Sequence, residues 1–212
     1  MLLNRSHILA GMDSTVTVET VEQLMNAVAD TGIRQIRIGG FLSGVPAFRL
    51  SPRQSILGIS PDASGLKFLD GADGIQLSSD NTVSSLAVVT SAARTAIRND
   101  ESVADFGTLE LDRVTAVGRV QLFARGKVRS GRVEVRGLDI TEADARGATE
   151  RPYGYGVFVL QGAFTLWNLQ SDPGVKITAN IWGAVCRKAA RSGTGIRRVC
   201  GRPGSERRLS AG

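Results

Sequence analysis

A short apolar segment that contains a leucine recurs five times between residues 55 and 171 of this chain. The steps between successive leucines are 29, 25, 27 and 31 residues. Self-similarity at a period of about 20–50 residues is typical of solenoids, in which each repeat packs only on its neighbours. The aligned leucines are Leu57, Leu86, Leu111, Leu138 and Leu169. The repeat therefore predicts a solenoid.

Short apolar strands, separated by Gly, Asn, Asp and Ser, run from Ile33 to Trp182. Three strands fit into each repeat of about 28 residues, which is the geometry of a parallel β-helix coil with alternate side chains in a shared core. A β-sandwich is the alternative, because it also has short strands at regular spacing. Its hairpin signals occur only at Asp70-Gly71 and the adjoining Asp73-Gly74. We therefore predict an all-β chain folded as a single-stranded parallel β-helix.

One helix is predicted before the repeats. Thr15–Glu19 alternates as a short strand, and Thr20 with Gln23 forms a capping-box pattern. An apolar stripe at helical spacing follows over residues 21–28, and Gly32 suits a left-handed C-terminal cap. The pattern predicts a helix over about 20–31. The chain then divides into a lead-in with strand and helix (1–32), the coils (33–184) and a tail (185–212).

The net charge of +6 is concentrated in the tail. Residues 186–212 carry eight basic groups and one acidic group, whereas residues 1–185 carry 18 basic and 19 acidic groups. The near-neutral body has no field that would collect polyanions, so nucleic acid is not a predicted partner of the coils. No apolar run approaches the roughly 20 residues of a membrane-spanning helix, so no membrane partner is predicted.

The tail departs from the rest of the chain in composition. It is rich in Arg, Gly, Ser and Pro, holds both cysteines (Cys186 and Cys200) and has almost no apolar periodicity. Such a segment cannot bury enough surface to offset the cost of ordering it, so disorder is predicted. Two interpretations stay open: out-of-frame or truncated coding sequence, which would leave the last coil exposed to self-association, and, ranked below it, a basic arm for nucleic acid.

Four stretches together carry a resemblance to a known family. Val16–Leu24, Ala27-Val28, Ile36–Gly40 and Ser55–Gly58 resemble the N-terminal part of the pectate-lyase-like right-handed β-helix superfamily. The resemblance covers about residues 15–184. It implies a right-handed pectin-lyase fold, an amphipathic helix that caps the first coil, an acidic polysaccharide as ligand and calcium as a cofactor. It also implies a secreted or cell-surface protein, although the first ten residues do not form a signal peptide because Asn4, Arg5 and His7 break the apolar run.

The catalytic motifs of that superfamily are missing. The only histidine, His7, precedes the coils, so a histidine acid or base in the groove is excluded. The Asp-x-x-Asp-Ile and Arg-x-Pro-x-x-Arg stretches of pectate lyases are absent, and Glu150-Arg151-Pro152-Tyr153 lacks the second arginine. We therefore predict a polysaccharide-binding or -processing β-helix without the family's catalytic residues in this chain. A structural or adhesive solenoid is the alternative.

The longest polar interruption, Glu142–Gly156, is the predicted ligand-binding loop, because insertions often line the groove of a solenoid. Its aromatic rings would stack on a sugar, and its charged groups would hydrogen-bond it. The predicted binding residues are Tyr153, Tyr155, Arg146, Arg151 and Glu150. Trp167 and Trp182 are further candidates for stacking, or else core or end-coil residues.

Two aspartates are the candidate metal ligands. Asp112 and Asp139 are expected at equivalent positions of adjacent coils, about 5 Å apart, where their carboxylates could share a calcium ion. The alternative is that they are turn residues, screened by Arg113 and Arg136.

Overall fold

The computed structural model of the chain describes residues 14–123, 130–143, 164–167, 175–183 and 197–198. One helix, α1 (Val21–Ala29), follows the first strand, and all other regular elements are strands. The strands are β1 (Ser14–Val18), β2 (Ile33–Ile38), β3 (Phe41–Val45), β4 (Phe48–Arg49), β5 (Ser55–Leu57), β6 (Gly65–Phe68), β7 (Ile75–Leu77), β8 (Asn81–Val89), β9 (Thr95–Asn99), β10 (Asp105–Val117), β11 (Arg119–Phe123), β12 (Ser130–Glu142), β13 (Phe164–Trp167), β14 (Val175–Gly183) and β15 (Arg197–Arg198).

Two parallel sheets form the walls of a solenoid. Sheet 1 runs β1-β2-β5-β8-β10-β12-β14-β15, with β3 and β6 joined to the second half of β8, and sheet 2 runs β13-β11-β9-β7-β4. Every strand pairing of the described residues is parallel, which confirms the predicted parallel solenoid and excludes the β-sandwich. The described residues trace five successive coils, which begin at β2, β5, β8, β10 and β12.

Strand alternation builds the core. In sheet 1 one buried aliphatic side chain from each coil lies directly opposite its counterpart in the next coil. This column contains Ile36, Ile56, Val83, Leu111 and Val135, each no more than 1% exposed. Because the strands are spaced about 4.8 Å apart, each side chain packs on the one above and the one below it. The core is therefore continuous along the axis.

A left-handed residue bends the long strands of sheet 1. Ser85, Arg113 and Gly137 occupy equivalent positions of three successive coils and have φ values of 55°, 51° and 64°. The residues before this bend form the first half of sheet 1, and those after it form the second half. In the preceding coil Gly58 holds the same position, where a Cβ atom would overlap the carbonyl oxygen of Ser85. A glycine is thus required there by the close approach of the next coil.

Helix α1 packs against the first coil through Leu24, Ala27 and Val28, which are all buried. Its start was predicted correctly: the Thr20 Oγ1 atom accepts a hydrogen bond from the Gln23 N–H at 3.2 Å, and Gln23 Oε1 accepts one from the Glu19 N–H at 2.8 Å. Its predicted end was wrong. The helix ends at Ala29, and Gly32 is not left-handed; its N–H instead donates to the Asp30 carboxylate at 2.8 Å. The capping role of α1 and the hand of the solenoid stay predictions.

A buried glutamine joins α1 to the second coil. Gln54 is fully buried, and its Nε2 atom donates to the carbonyl oxygens of Ala27 (3.2 Å) and Asp30 (2.9 Å) at the end of the helix. Asn81, opposite Gln54 in the next coil, donates in turn to the carbonyls of Ser51 and Gln54, both at 2.9 Å. Each of these amides adds a side-chain donor to two carbonyl groups; the Asp30 and Ser51 carbonyls also accept from the backbone N–H groups of Ile33 and Gln54.

The leucine alignment was wrong in register. Leu57 lies opposite Ser84 rather than Leu86, and Leu111 lies opposite Val135 rather than Leu138. Ser43-Gly44 has the composition of a separator between strands, yet it lies within β3. Gly44 has a φ of 79° and marks a register shift within the strand instead. In the segment predicted to be disordered, Arg197–Arg198 form β15 beside β14, and the rest of 184–212 lies outside the described residues.

Candidate binding face

The outer surface of the first half of sheet 1 carries two adjacent columns of polar side chains, which we call the outward ladder. Strand alternation places them there, because the core column occupies the residues between them. One column contains Thr15, Gln35, Ser55, Thr82, Glu110 and Glu134. The other contains Thr17, Arg37, Leu57, Ser84, Asp112 and Arg136. All but Leu57 can form hydrogen bonds.

Arg136 is the centre of the charged end of this ladder. Its guanidinium contacts three carboxylates: Nη2 donates to Glu110, Nη1 donates to Glu134 Oε2 at 2.9 Å, and Nε lies 3.6 Å from Asp112 Oδ1. The three acids lie on β10 and β12, and the parallel register brings them together. Each donor of the guanidinium fork therefore faces a carboxylate.

Two more arginines balance the charge of this group. Arg132 pairs with Glu134, and Arg113 Nε donates to Asp112 Oδ2 at 3.2 Å. The resulting charged cluster (Glu110, Asp112, Glu134, Arg113, Arg132 and Arg136) holds three acids and three arginines. The acidic side chains are 15–24% exposed and the arginines 54–69%. An isolated ion pair at such a surface contributes little stability, whereas these six side chains form a connected network on two neighbouring strands.

Hydroxyl groups extend the cluster along the ladder. Thr82 Oγ1 donates to Glu110 Oε2 at 3.2 Å, and Ser84 Oγ donates to Asp112 Oδ2 at 3.4 Å. Both donors lie on β8, opposite their acceptors on β10. Three neighbouring coils thus form one hydrogen-bonded surface, with groups that can both donate and accept.

The expected pairing of Asp112 with Asp139 is wrong. Asp112 lies opposite Arg136, and Asp139 lies opposite Thr115, three positions further along β10. The bend at Arg113 and Gly137 separates the two aspartates, so Asp112 is on the first half of sheet 1 and Asp139 on the second. The stacked-carboxylate argument for calcium therefore fails. Within the described ranges, no group of three or more His, Cys, Asp or Glu side chains could hold a metal ion.

The predicted loop residues Tyr153, Tyr155, Arg146, Arg151 and Glu150 lie outside the described residues. Trp167 and Trp182 belong to β13 and β14. The loop assignment stays a prediction.

Sheet 2 presents a second, smaller polar face. Arg49 Nη2 lies 3.0 Å from Asp100 Oδ2, and Arg98 Nη1 lies 3.7 Å from Asp73 Oδ2. Hydrogen bonds from the hydroxyl and backbone N–H of Ser102, reinforced by Arg49 and Arg98, hold the pKa of Asp100 below its usual value against the opposing effect of partial burial. This face has alternating Arg and Gln in a single column and lacks the triple carboxylate contact of the charged cluster.

Sequence reasoning missed Glu110, Glu134 and Arg132 as members of a site. Their signal is present, since charged residues alternate with buried aliphatic residues in both 109–112 and 132–136. Alternation of charged and apolar residues shows which side of a strand is buried, but it does not show which residues of the neighbouring strand lie opposite. The cluster becomes visible only when the register of β10 and β12 is known.

The fold and face define a parallel β-solenoid with a polar, hydrogen-bonding wall. No family model matches the chain, and neither the curated proteins nor the solved structures include a match. Among the residues that the structure describes, no helix is long and apolar enough to span a membrane.

Proposed function

We propose that this chain is a polysaccharide-binding solenoid of the pectate-lyase-like type, which holds an extended glycan along the outward ladder without cleaving it. The observation that carries the proposal is the ladder itself: hydrogen-bonding side chains recur in register from β1 to β12 and include the charged cluster. A glycan chain is lined with hydroxyl groups, and such a surface can both donate to them and accept from them.

The geometry of the ladder suits a linear ligand. Parallel strands repeat about every 4.8 Å, so each coil offers its polar groups to one further segment of an extended chain. The carboxylates can accept from vicinal hydroxyls, while the arginines can donate to hydroxyls or to the carboxylates of an acidic sugar. An acidic polysaccharide remains the predicted class, with Tyr153, Tyr155 and the charged residues of the 142–156 loop as its further predicted contacts.

Binding without catalysis is proposed for two reasons. The sequence lacks the superfamily's catalytic motifs, and each carboxylate of the charged cluster is held by at least one arginine. A carboxylate whose oxygens already contact an arginine has fewer oxygens free to approach a glycosidic bond. Incubation of the full chain with acidic polysaccharides, with and without calcium, should give no unsaturated product by ultraviolet absorbance; its appearance would contradict this part of the proposal.

Calorimetric titration of the full chain with neutral and acidic oligosaccharides tests the ladder. The double variant Glu110→Gln/Asp112→Asn should bind a neutral oligosaccharide about tenfold more weakly, because the hydroxyl groups of the ligand lose two charged acceptors. The matched control is Asp73→Asn/Asp100→Asn, which neutralises two ion-paired carboxylates on sheet 2. Equal affinity of the ladder variant and the control would contradict the assignment of the outward ladder as the binding site.

A structural or adhesive solenoid is the second candidate. The observation that favours it is that the charged cluster is balanced within itself, with three acids for three arginines. Absence of binding to every glycan tested, together with unchanged thermal stability in their presence, would favour this candidate.

A further inference from the structure

Three large apolar side chains of the described residues are strongly exposed, and only one of them is aromatic. Phe41 is 57% exposed, Ile59 71% and Leu69 51%. Phe41 begins β3 on the second half of sheet 1, beyond the bend and so apart from the outward ladder. An exposed aromatic ring costs hydration free energy that a ligand can recover by covering it.

The ring of Phe41 lies over a glycine. Gly65 lies directly opposite in β6, and a Cβ atom there would overlap the ring at Cδ1 and Cε1. Only a residue without a side chain leaves room for the ring to rest on the sheet. One face of the ring thus lies on the backbone, and the rest of the ring is open to a ligand.

The residues that follow Phe41 in its column are small. The column that starts at Phe41 continues through Gly65 and Ala87 in the next two coils, and neither has a side chain longer than a methyl group. The neighbouring column brings Ser43 and Lys67, both exposed, alongside. An apolar ring face thus lies beside hydroxyl and ammonium donors.

We infer that Phe41 is an aromatic platform for a second sugar subsite, which stacks on the C–H face of a pyranose ring while Ser43 and Lys67 donate to its hydroxyl or carboxylate oxygens. Sugars fit this combination because one face of a pyranose is apolar and its rim is polar. The inference rests on the proposed function for its ligand class. It adds a site on a different part of the sheet.

Titration of the full chain with cellohexaose and with a galacturonate hexamer tests the platform. Phe41→Leu still covers Gly65 with an apolar side chain but removes the aromatic face. It should weaken binding of the better hexamer about tenfold, whereas Phe41→Tyr should stay within about twofold. Ile59→Ala and Leu69→Ala are matched controls at exposed apolar positions and should leave binding unchanged. Thermal unfolding of each variant checks that the fold is kept.

The outcomes separate this inference from the proposed function. Loss of binding in Glu110→Gln/Asp112→Asn but not in Phe41→Leu would overturn the platform and keep the ladder. The reverse result would keep the platform and overturn the ladder. Equal loss of hexamer binding in Ile59→Ala and Leu69→Ala would mean that the effect does not depend on the aromatic ring, and would overturn the platform. Absence of hexamer binding to the unmodified chain would overturn both proposals.

Discussion

Asp100 shows how a single side chain can tie two coils of sheet 2 together. Its carboxylate accepts from Ser102 at 2.6 Å and pairs with Arg49, which belongs to a different coil. The pKa of Asp100 is therefore lowered in the folded chain. A carboxyl group with a lowered pKa stabilises the fold at pH values above its unfolded pKa, and this contribution is lost as the pH falls through the folded value.

The variant Asp100→Asn should consequently be less stable than the unmodified chain at neutral pH. The difference in unfolding free energy should shrink as the pH falls below about 4, because the native carboxyl then becomes protonated as well. Urea unfolding measured from pH 3 to 7 checks this. Asp62→Asn changes an exposed carboxyl and serves as the control. A difference that grows in acid would contradict the assigned direction.

At the scale of elements, the joint between α1 and the second coil depends on Gln54. Its amide group makes hydrogen bonds to Ala27, Asp30 and Ser51, and all of it is buried. Gln54→Leu has a similar volume but removes the side-chain donor to the carbonyls of Ala27 and Asp30 and the acceptor of the Ser51 N–H; Asp30 keeps the backbone N–H of Ile33. We expect a loss of about 2–3 kcal/mol in unfolding free energy, since buried polar groups without partners cost about 1–3 kcal/mol each and can relax in part.

The control for this prediction is Gln76→Leu, the same change on the outer face of sheet 2, which should alter stability by less than about 0.5 kcal/mol. Amide hydrogen exchange gives the second measurement: in Gln54→Leu the amides of α1 should lose protection before those of β10. Equal losses of unfolding free energy from both substitutions would contradict the role of Gln54 in joining α1 to the second coil.

The sequence patterns predicted the strands and the start of the helix better than they predicted which residues of neighbouring strands lie opposite each other. Alternation and separators predicted most strands because side-chain burial follows a period of two, and the capping box predicted the helix start. Register could not be obtained by aligning leucines, since the core column accepts Ile, Val or Leu at each level. Leu57 even lies on the outer face, whereas Leu111 lies in the core. The expected Asp112–Asp139 pair failed for the same reason. The alternative, in which Arg113 and Arg136 screen the aspartate, is confirmed for Asp112, whereas Glu110, Glu134 and Arg132 were not predicted to join them.

At the scale of the whole molecule, the coils form a linear array in which each strand pairs with those of the neighbouring levels. The Arg49–Asp100 ion pair reaches one level further, from the first coil to the third. Stability should then be the sum of coil and interface contributions, with effects that fade along the axis. This property also bears on function, because a ligand that spans several coils would stabilise only the levels that it contacts. A core substitution in the middle of the array can show how many neighbouring coils lose stability with the substituted one.

Leu111→Ala makes that measurement. Leu111 is 1% exposed and lies between Val83 and Val135, so truncation leaves a cavity shared by three coils. We expect a loss of about 2–5 kcal/mol in unfolding free energy. Hydrogen exchange should quicken in β8, β10 and β12 and change little in α1 and β2. Ser84→Ala, on the outer face of β8, should leave the pattern unchanged. Uniform loss of protection from β2 to β12 would instead mean that the solenoid unfolds as one cooperative unit. In that case a glycan bound at the charged cluster would stabilise α1 as strongly as the coils that the glycan contacts.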